Sequence, residues 1–219
     1  GIYANNSSAG TSLTINAATT TGGDDGIVAV NSGTGALSIT TTGTTTGGTG
    51  GDGIFAFINN TASTGDLTIN AATTTGGVHG IYADNYGTGA LSITTTGTTT
   101  GGTGYDGIYA NNSSAGTSVT INAATTTGGD DGIYALNSGT GALSITTTGT
   151  TTGGDDGIQA FINNTASTGD LTINAATTTG GVYGIQGYNK GTGALNITTS
   201  GAITGGTGYG IRTITAANK

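Results

Sequence analysis

The stretch Gly1-Ile2-Tyr3-Ala4-Asn5-Asn6, followed by Leu13-Thr14-Ile15-Asn16-Ala17 and then Thr19-Thr20-Thr21-Gly22-Gly23, is one turn of a repeat. Its opening tetrad, Gly-Ile-x-Ala, returns at Gly26, Gly53, Gly80, Gly107, Gly132 and Gly157. Looser copies open at Gly184 (Gly-Ile-Gln-Gly) and Gly210 (Gly-Ile-Arg-Thr). Steps of 25 to 27 residues between these glycines make eight full coils and the start of a ninth. A fixed period of this length is the signature of a solenoid. The segment from Gly1 recurs almost unchanged from Gly107, four coils on. That near-identity points to internal duplication and leaves little surface unique to any one coil.

Each coil reads as three short strands separated by Gly, Asn and Asp. Side chains alternate between the two faces of a strand. The constant Ile and Ala of the first strand therefore point inward, as do the Leu and Ile of the second. In the third strand, Ile203 stands where other coils have Thr20, Thr45, Thr74, Thr99, Thr126, Thr151 and Thr178. An apolar residue there marks this position as inward, so its neighbours face solvent. Gly and β-branched Thr are poor helix formers, and no 3.6-residue periodicity is present. The expectation is an all-β, right-handed parallel β-helix with three strands per coil. It forms one repeat domain over residues 1–219. Coils of this kind are stabilised by their neighbours and not singly. Asn6, Asn31, Asn85, Asn112, Asn137 and Asn189 share one position in the coil and predict a ladder of amides along the axis.

Composition narrows the functional classes. The chain holds 46 Gly among 219 residues, lacks Pro, Cys, Met and Trp, and carries a net charge of −8. Low charge with a third of the residues apolar argues for order over low-complexity disorder. With only Lys190, Arg212 and Lys219 as basic residues, nothing could neutralise a run of phosphates, so no nucleic-acid partner is expected. Attraction to an anionic membrane surface is excluded on the same ground. No apolar run approaches the roughly 20 residues of a membrane-spanning helix, and no membrane insertion is expected. The chain opens inside a repeat and shows no signal-peptide pattern. We therefore expect an excised segment of a longer secreted protein. The lack of Cys fits a secreted protein without disulfides and a cytosolic one nearly as well.

The pattern Gly-Ile-Tyr-Ala, then Gly-Thr-Gly-Ala-Leu-Ser-Ile-Thr-Thr-Thr-Gly, then Thr-x-Thr-Gly-Gly resembles the passenger domains of Gram-negative autotransporter surface proteins over essentially the whole chain. That resemblance implies a β-helix folded outside the cell, on the bacterial surface, acting as an adhesin or stalk. Most such passengers place Val or Ile at the middle of the third strand, where this chain has Thr.

Four surface features are candidate sites. The first is an outward Thr-x-Thr array: Thr19/Thr21, Thr44/Thr46, Thr73/Thr75, Thr98/Thr100, Thr125/Thr127, Thr150/Thr152 and Thr177/Thr179. A grid of methyls and hydroxyls about 6.7 Å apart along the strand and about 4.8 Å between coils resembles the ice-binding face of β-helical antifreeze proteins. Thr is also simply a good residue for an exposed strand. The second is an outward stripe of Tyr3, Phe55, Tyr82, Tyr109 and Tyr134, flanked by Phe57, Leu136 and Phe161. It suits adhesion to a host or neighbouring cell, a glycan or matrix, or packs against itself. The third is a pair of glycine-rich turns ending in Asp52 and Asp106 that resemble the nonapeptides of calcium-binding β-rolls. Calcium is the one cofactor they would imply.

The fourth is a corner of Asp24, Asp25, Asp52, Asp106, Asp130, Asp131, Asp155 and Asp156, expected as solvated turn residues. Catalysis in polysaccharide-cleaving β-helices needs carboxylates or a base clustered in a groove. Here the acids share one corner, Glu is absent, and His79 stands alone as the only histidine. The expected function is a non-enzymatic adhesive rod, with ice binding through the Thr array as the alternative.

Overall fold

The computed structural model describes residues 1–216. The described residues form 25 strands, which collect into three parallel sheets of nine, eight and eight members. The first coil supplies β1 (Ile2–Asn6), β2 (Leu13–Ala17) and β3 (Thr20–Thr21). Every later coil adds one strand to each sheet in the same order, ending on β25 (Ile211–Thr215) in the first sheet. This is the expected right-handed β-solenoid of about eight coils with three strands per coil.

Register is strict because the inward side chains repeat. Ile81 pairs with Ile54 on one side and Ile108 on the other, and Ala83 with Ala56 and Ala110. Leu91 pairs with Leu67 and Val119, and Ile93 with Ile69 and Ile121. These columns are fully shielded from solvent and form one continuous core. A one-residue slip in any strand would turn its apolar set outward.

The third strand behaves as Ile203 indicated: Ile203 sits in register with Thr178, and the inward Thr column packs along the core. Its methyls, with the next coil's carbonyl oxygen, explain the glycine that opens most coils. A Cβ added to Gly132 would lie 2.5 Å from the carbonyl oxygen of Gly157 and 2.7 Å from Thr151 Cγ2. The hydroxyls of the same column are less well served. Thr20 Oγ1 donates to Thr45 Oγ1 and Thr74 Oγ1 to Thr99 Oγ1, each at 3.2 Å. Thr126 Oγ1 and Thr151 Oγ1 are buried without a partner.

The Asn ladder exists in sections. Asn6 Nδ2 donates to Asn31 Oδ1 at 2.7 Å, Asn85 to Asn112 at 2.9 Å and Asn112 to Asn137 at 3.3 Å. Asn31, Asn85, Asn137 and Asn189 also close the turns that follow them. Asn31 accepts from the Gly33 N–H at 3.0 Å and donates to the Gly35 carbonyl at 2.7 Å. Ile58 and Ile162 occupy the equivalent place in two coils and interrupt the ladder. There the buried Ser63 hydroxyl donates to Gly35 O at 3.0 Å, and Ser167 to Thr140 O at the same distance. The longer Asn-Thr-Ala-Ser turn thus satisfies backbone that Asn satisfies elsewhere.

Candidate functional surfaces

On the first sheet the alternation turns one position per coil outward. Phe55, Tyr82, Tyr109 and Tyr134 stack face to face, with centroids 5.1, 4.7 and 5.2 Å apart and planes within 4° of parallel. Tyr3 lies on the same line but outside this stack, because Val28 stands between it and Phe55. A second outward column holds Phe57, which meets Tyr86 edge-on at 5.0 Å, and Leu136 and Phe161. Asp84 and Asn111 break that column and pair at 2.9 Å. Burial is the main force raising the Asp84 carboxyl to about 6, and the Asn111 amide opposes it. The rings present their edges outward and their faces to one another.

The acidic corner is split, which corrects the expectation of solvated turn residues. Asp24, Asp130 and Asp155 are exposed, whereas Asp52, Asp106, Asp131 and Asp156 are buried. Each inner carboxylate accepts the backbone N–H of the equivalent residue one coil on. The bonds are Asp25 from Asp52 at 2.7 Å, Asp106 from Asp131 at 3.0 Å, Asp131 from Asp156 at 2.9 Å and Asp156 from Tyr183 at 3.1 Å.

His79 fills the missing place in this ladder and is no ordinary surface residue. Its N–H donates to Asp52 Oδ1 at 2.8 Å, its Nδ1 lies 3.1 Å from that same oxygen, and its Nε2 lies 3.8 Å from Asp106 Oδ2. Tyr82, Tyr105 and Tyr109 surround the ring at 5.3 to 5.7 Å. Asp52 and Asp106, the calcium candidates, are thus separated by an imidazole. The acidic group gathered most closely is another one, Asp130, Asp131 and Asp155, with ligand oxygens within 4.8 Å of one another.

Burial, then the neighbouring carboxylates of Asp106 and Asp156, push Asp131 up to about 8 against the backbone N–H that lowers it. The folded chain therefore holds this proton more tightly than the unfolded chain does. Between pH 4 and about 8 the folded state binds more protons, so stability falls as pH rises through that window. A slope approaching about 1.4 kcal/mol per pH unit is expected for one such group. Urea midpoints at pH 4, 6 and 8 check this, and Asp131→Asn should flatten the dependence.

The outward Thr array proves uneven. The column Thr21, Thr46, Thr75, Thr100, Thr127, Thr152, Thr179 is in ladder register throughout and continues to Thr204. In the other column only Thr44 and Thr73 lie within strands; Thr19, Thr98, Thr125, Thr150 and Thr177 precede them. Coils of one type also lean their Thr over the next coil. A Cβ at Gly97 would meet Thr73 Oγ1 at 2.5 Å. The array is one regular column beside one irregular column.

The second sheet carries a more regular polar face, unmarked among the sequence candidates although the Leu-Thr-Ile-Asn-Ala alternation contains it. Its strands are five residues long in every coil. Two outward columns run from Thr14 to Asn196 and from Asn16 to Thr198, in register across all eight coils. Rows alternate between Thr-x-Asn and Ser-x-Thr, as in Thr68/Asn70 and Ser92/Thr94, until Asn196/Thr198. Each row offers one Thr. The inward Thr41, Thr95 and Thr147 of the same strands accept backbone N–H groups. Among the described residues no side-chain hydrogen bond engages the outward sixteen.

These features define a three-sided parallel β-solenoid with one aromatic face, two hydroxylic faces and one acidic corner. Set against known proteins, the chain matches no family model, no curated protein and no solved structure. No helix of the described residues is long and apolar enough to cross a membrane.

Proposed function

We propose that the chain is a non-enzymatic, extracellular adhesive rod, a segment of an autotransporter-like passenger on a bacterial surface. The observation that carries this reading is the outer face of the first sheet. A four-ring stack runs along the axis there, and Phe57, Leu136 and Phe161 flank it. An apolar stripe of this length, set on a rigid repeat, suits many weak contacts made at once. Edge-on rings of Tyr offer both apolar area and a polar hydroxyl to a glycan or a matrix protein.

Tyr82→Ser and Tyr109→Ser test it. Binding of the purified chain to cell monolayers, glycans and extracellular matrix should fall by at least about tenfold in each, the scale of an aromatic hot spot. Equal binding by the variants, or no binding by the unmodified chain, overturns the reading.

The regular Thr21-to-Thr204 column favours a second reading, ice binding through the third sheet. A repeating line of methyls and hydroxyls can order water in register with a crystal.

A further inference from the structure

We propose that the outer face of the second sheet is an ice-binding surface, on which the ordered partner is crystalline water. The partner is that of the second reading above; the surface is a different one, so each can fail alone.

Charge supplies the first argument. The chain carries a net charge of −8, yet none of the sixteen outward residues of this face is ionisable. The acids lie in the corner, at Asp84 on the first sheet, and at Asp66 and Asp170 beside the second. Those last two are engaged, each with Oδ1 accepting a backbone N–H at 2.7 Å, from Ala90 and Ala194. A neutral face in so acidic a protein complements a neutral, hydrogen-bonding partner.

Unused bonding capacity supplies the second. A hydroxyl or amide without a protein partner takes its hydrogen bonds from water. On this face every row holds two such groups, and they repeat in two directions. One direction is the coil spacing, about 4.8 Å, and the other is the two-residue spacing along the strand, about 6.7 Å. Water held on such a lattice is itself a lattice. The Thr methyls, one per row, exclude water between the polar groups and restrict where each molecule can sit.

Shape supplies the third. Five-residue strands paired over four or five residues make a broader face than the two- and three-residue strands of the third sheet. No aromatic ring lies on this face for a sugar to stack against, and no side chain larger than Asn projects from it. A protein partner would find little apolar area and no charge to pair. A flat, periodic, neutral solid remains the best match.

Thermal hysteresis and partition into a growing ice hemisphere test the proposal with the purified chain. The unmodified protein should show both. Thr120→Tyr, which raises a bulky ring from the middle of the face, and Asn122→Asp, which adds a charge with almost no change of shape, should abolish both. Thr100→Tyr on the third sheet should retain both. Circular dichroism and thermal midpoints confirm the fold, and Asn122→Asp keeps the test decisive should Thr120→Tyr not fold. Absence of ice activity in the unmodified chain overturns the proposal. So does loss in Thr100→Tyr with retention in Thr120→Tyr and Asn122→Asp. Binding of a soluble neutral glucan, or self-association by light scattering, that Thr120→Tyr removes without any ice activity assigns the face to that other partner instead.

Discussion

Gly132→Val is expected to cost at least about 3 kcal/mol, the upper range for forcing extra atoms into a packed core. The new Cβ would stand 2.5 Å from a backbone oxygen of the next coil and 2.7 Å from the Thr151 methyl. Neither neighbour can yield easily. The oxygen belongs to Gly157, whose carbonyl accepts the Ile133 N–H at 3.1 Å. The methyl belongs to the inward Thr column. Relief would require spreading two coils, which lengthens ladder bonds on all three sheets at that level. Urea denaturation of the purified variant gives the magnitude. A loss below about 1 kcal/mol, the scale of a tolerated core exchange, would mean that adjacent coils have slack the packing does not reveal.

The second large effect runs the other way. Thr126→Val and Thr151→Val are each expected to stabilise the chain by about 1–3 kcal/mol, the cost of leaving a buried hydroxyl unpaired. Both hydroxyls are buried without a partner. Valine keeps the branched shape and the methyl that covers the glycine, and it discards only the oxygen. The chain already accepts a hydrocarbon at this place in Ile203. Thr74→Val is the control, since Thr74 Oγ1 donates to Thr99 Oγ1. Its loss leaves Thr99 unpaired and should remove the gain. Calorimetric midpoints of the three variants separate these outcomes.

Much of this architecture is legible in the sequence because one rule, the two-residue alternation of a strand, acts on nearly every coil. Ile27 and Ala29 point inward and Val28 outward for that reason alone. The inward Thr column needs one further clue, and Ile203 supplies it. Legibility ends where turns decide direction. Asp130 and Asp131 are neighbours of identical chemistry, yet one is exposed and the other buried, because the turn aims only the second at the next coil's N–H. His79 is partly covered by three rings, one of them Tyr105, which follows Gly104 at a φ of 76°. The lean of Thr over the next coil follows from two different approaches to the third strand, Ala-Ala in the coils whose Thr leans and Thr-Thr-Gly in the coils whose glycine lies beneath it. Composition cannot show that Thr73 then leans over Gly97.

The sheets have one more consequence, a mechanical one. Every ladder bond runs along the rod, and each coil is held mainly by the coil on either side. A pull on the two ends along the axis therefore breaks those bonds a coil at a time, as a thread is drawn from a spool. Each coil that peels away adds on the order of 80–90 Å of extended chain in place of about 4.8 Å of rod. The same tension crosses every coil interface in series, but rupture advances one coil at a time. If the chain serves as the adhesive rod proposed above, it lengthens under tension in small, nearly equal steps, and contacts along its remaining coils stay in place while the far end moves.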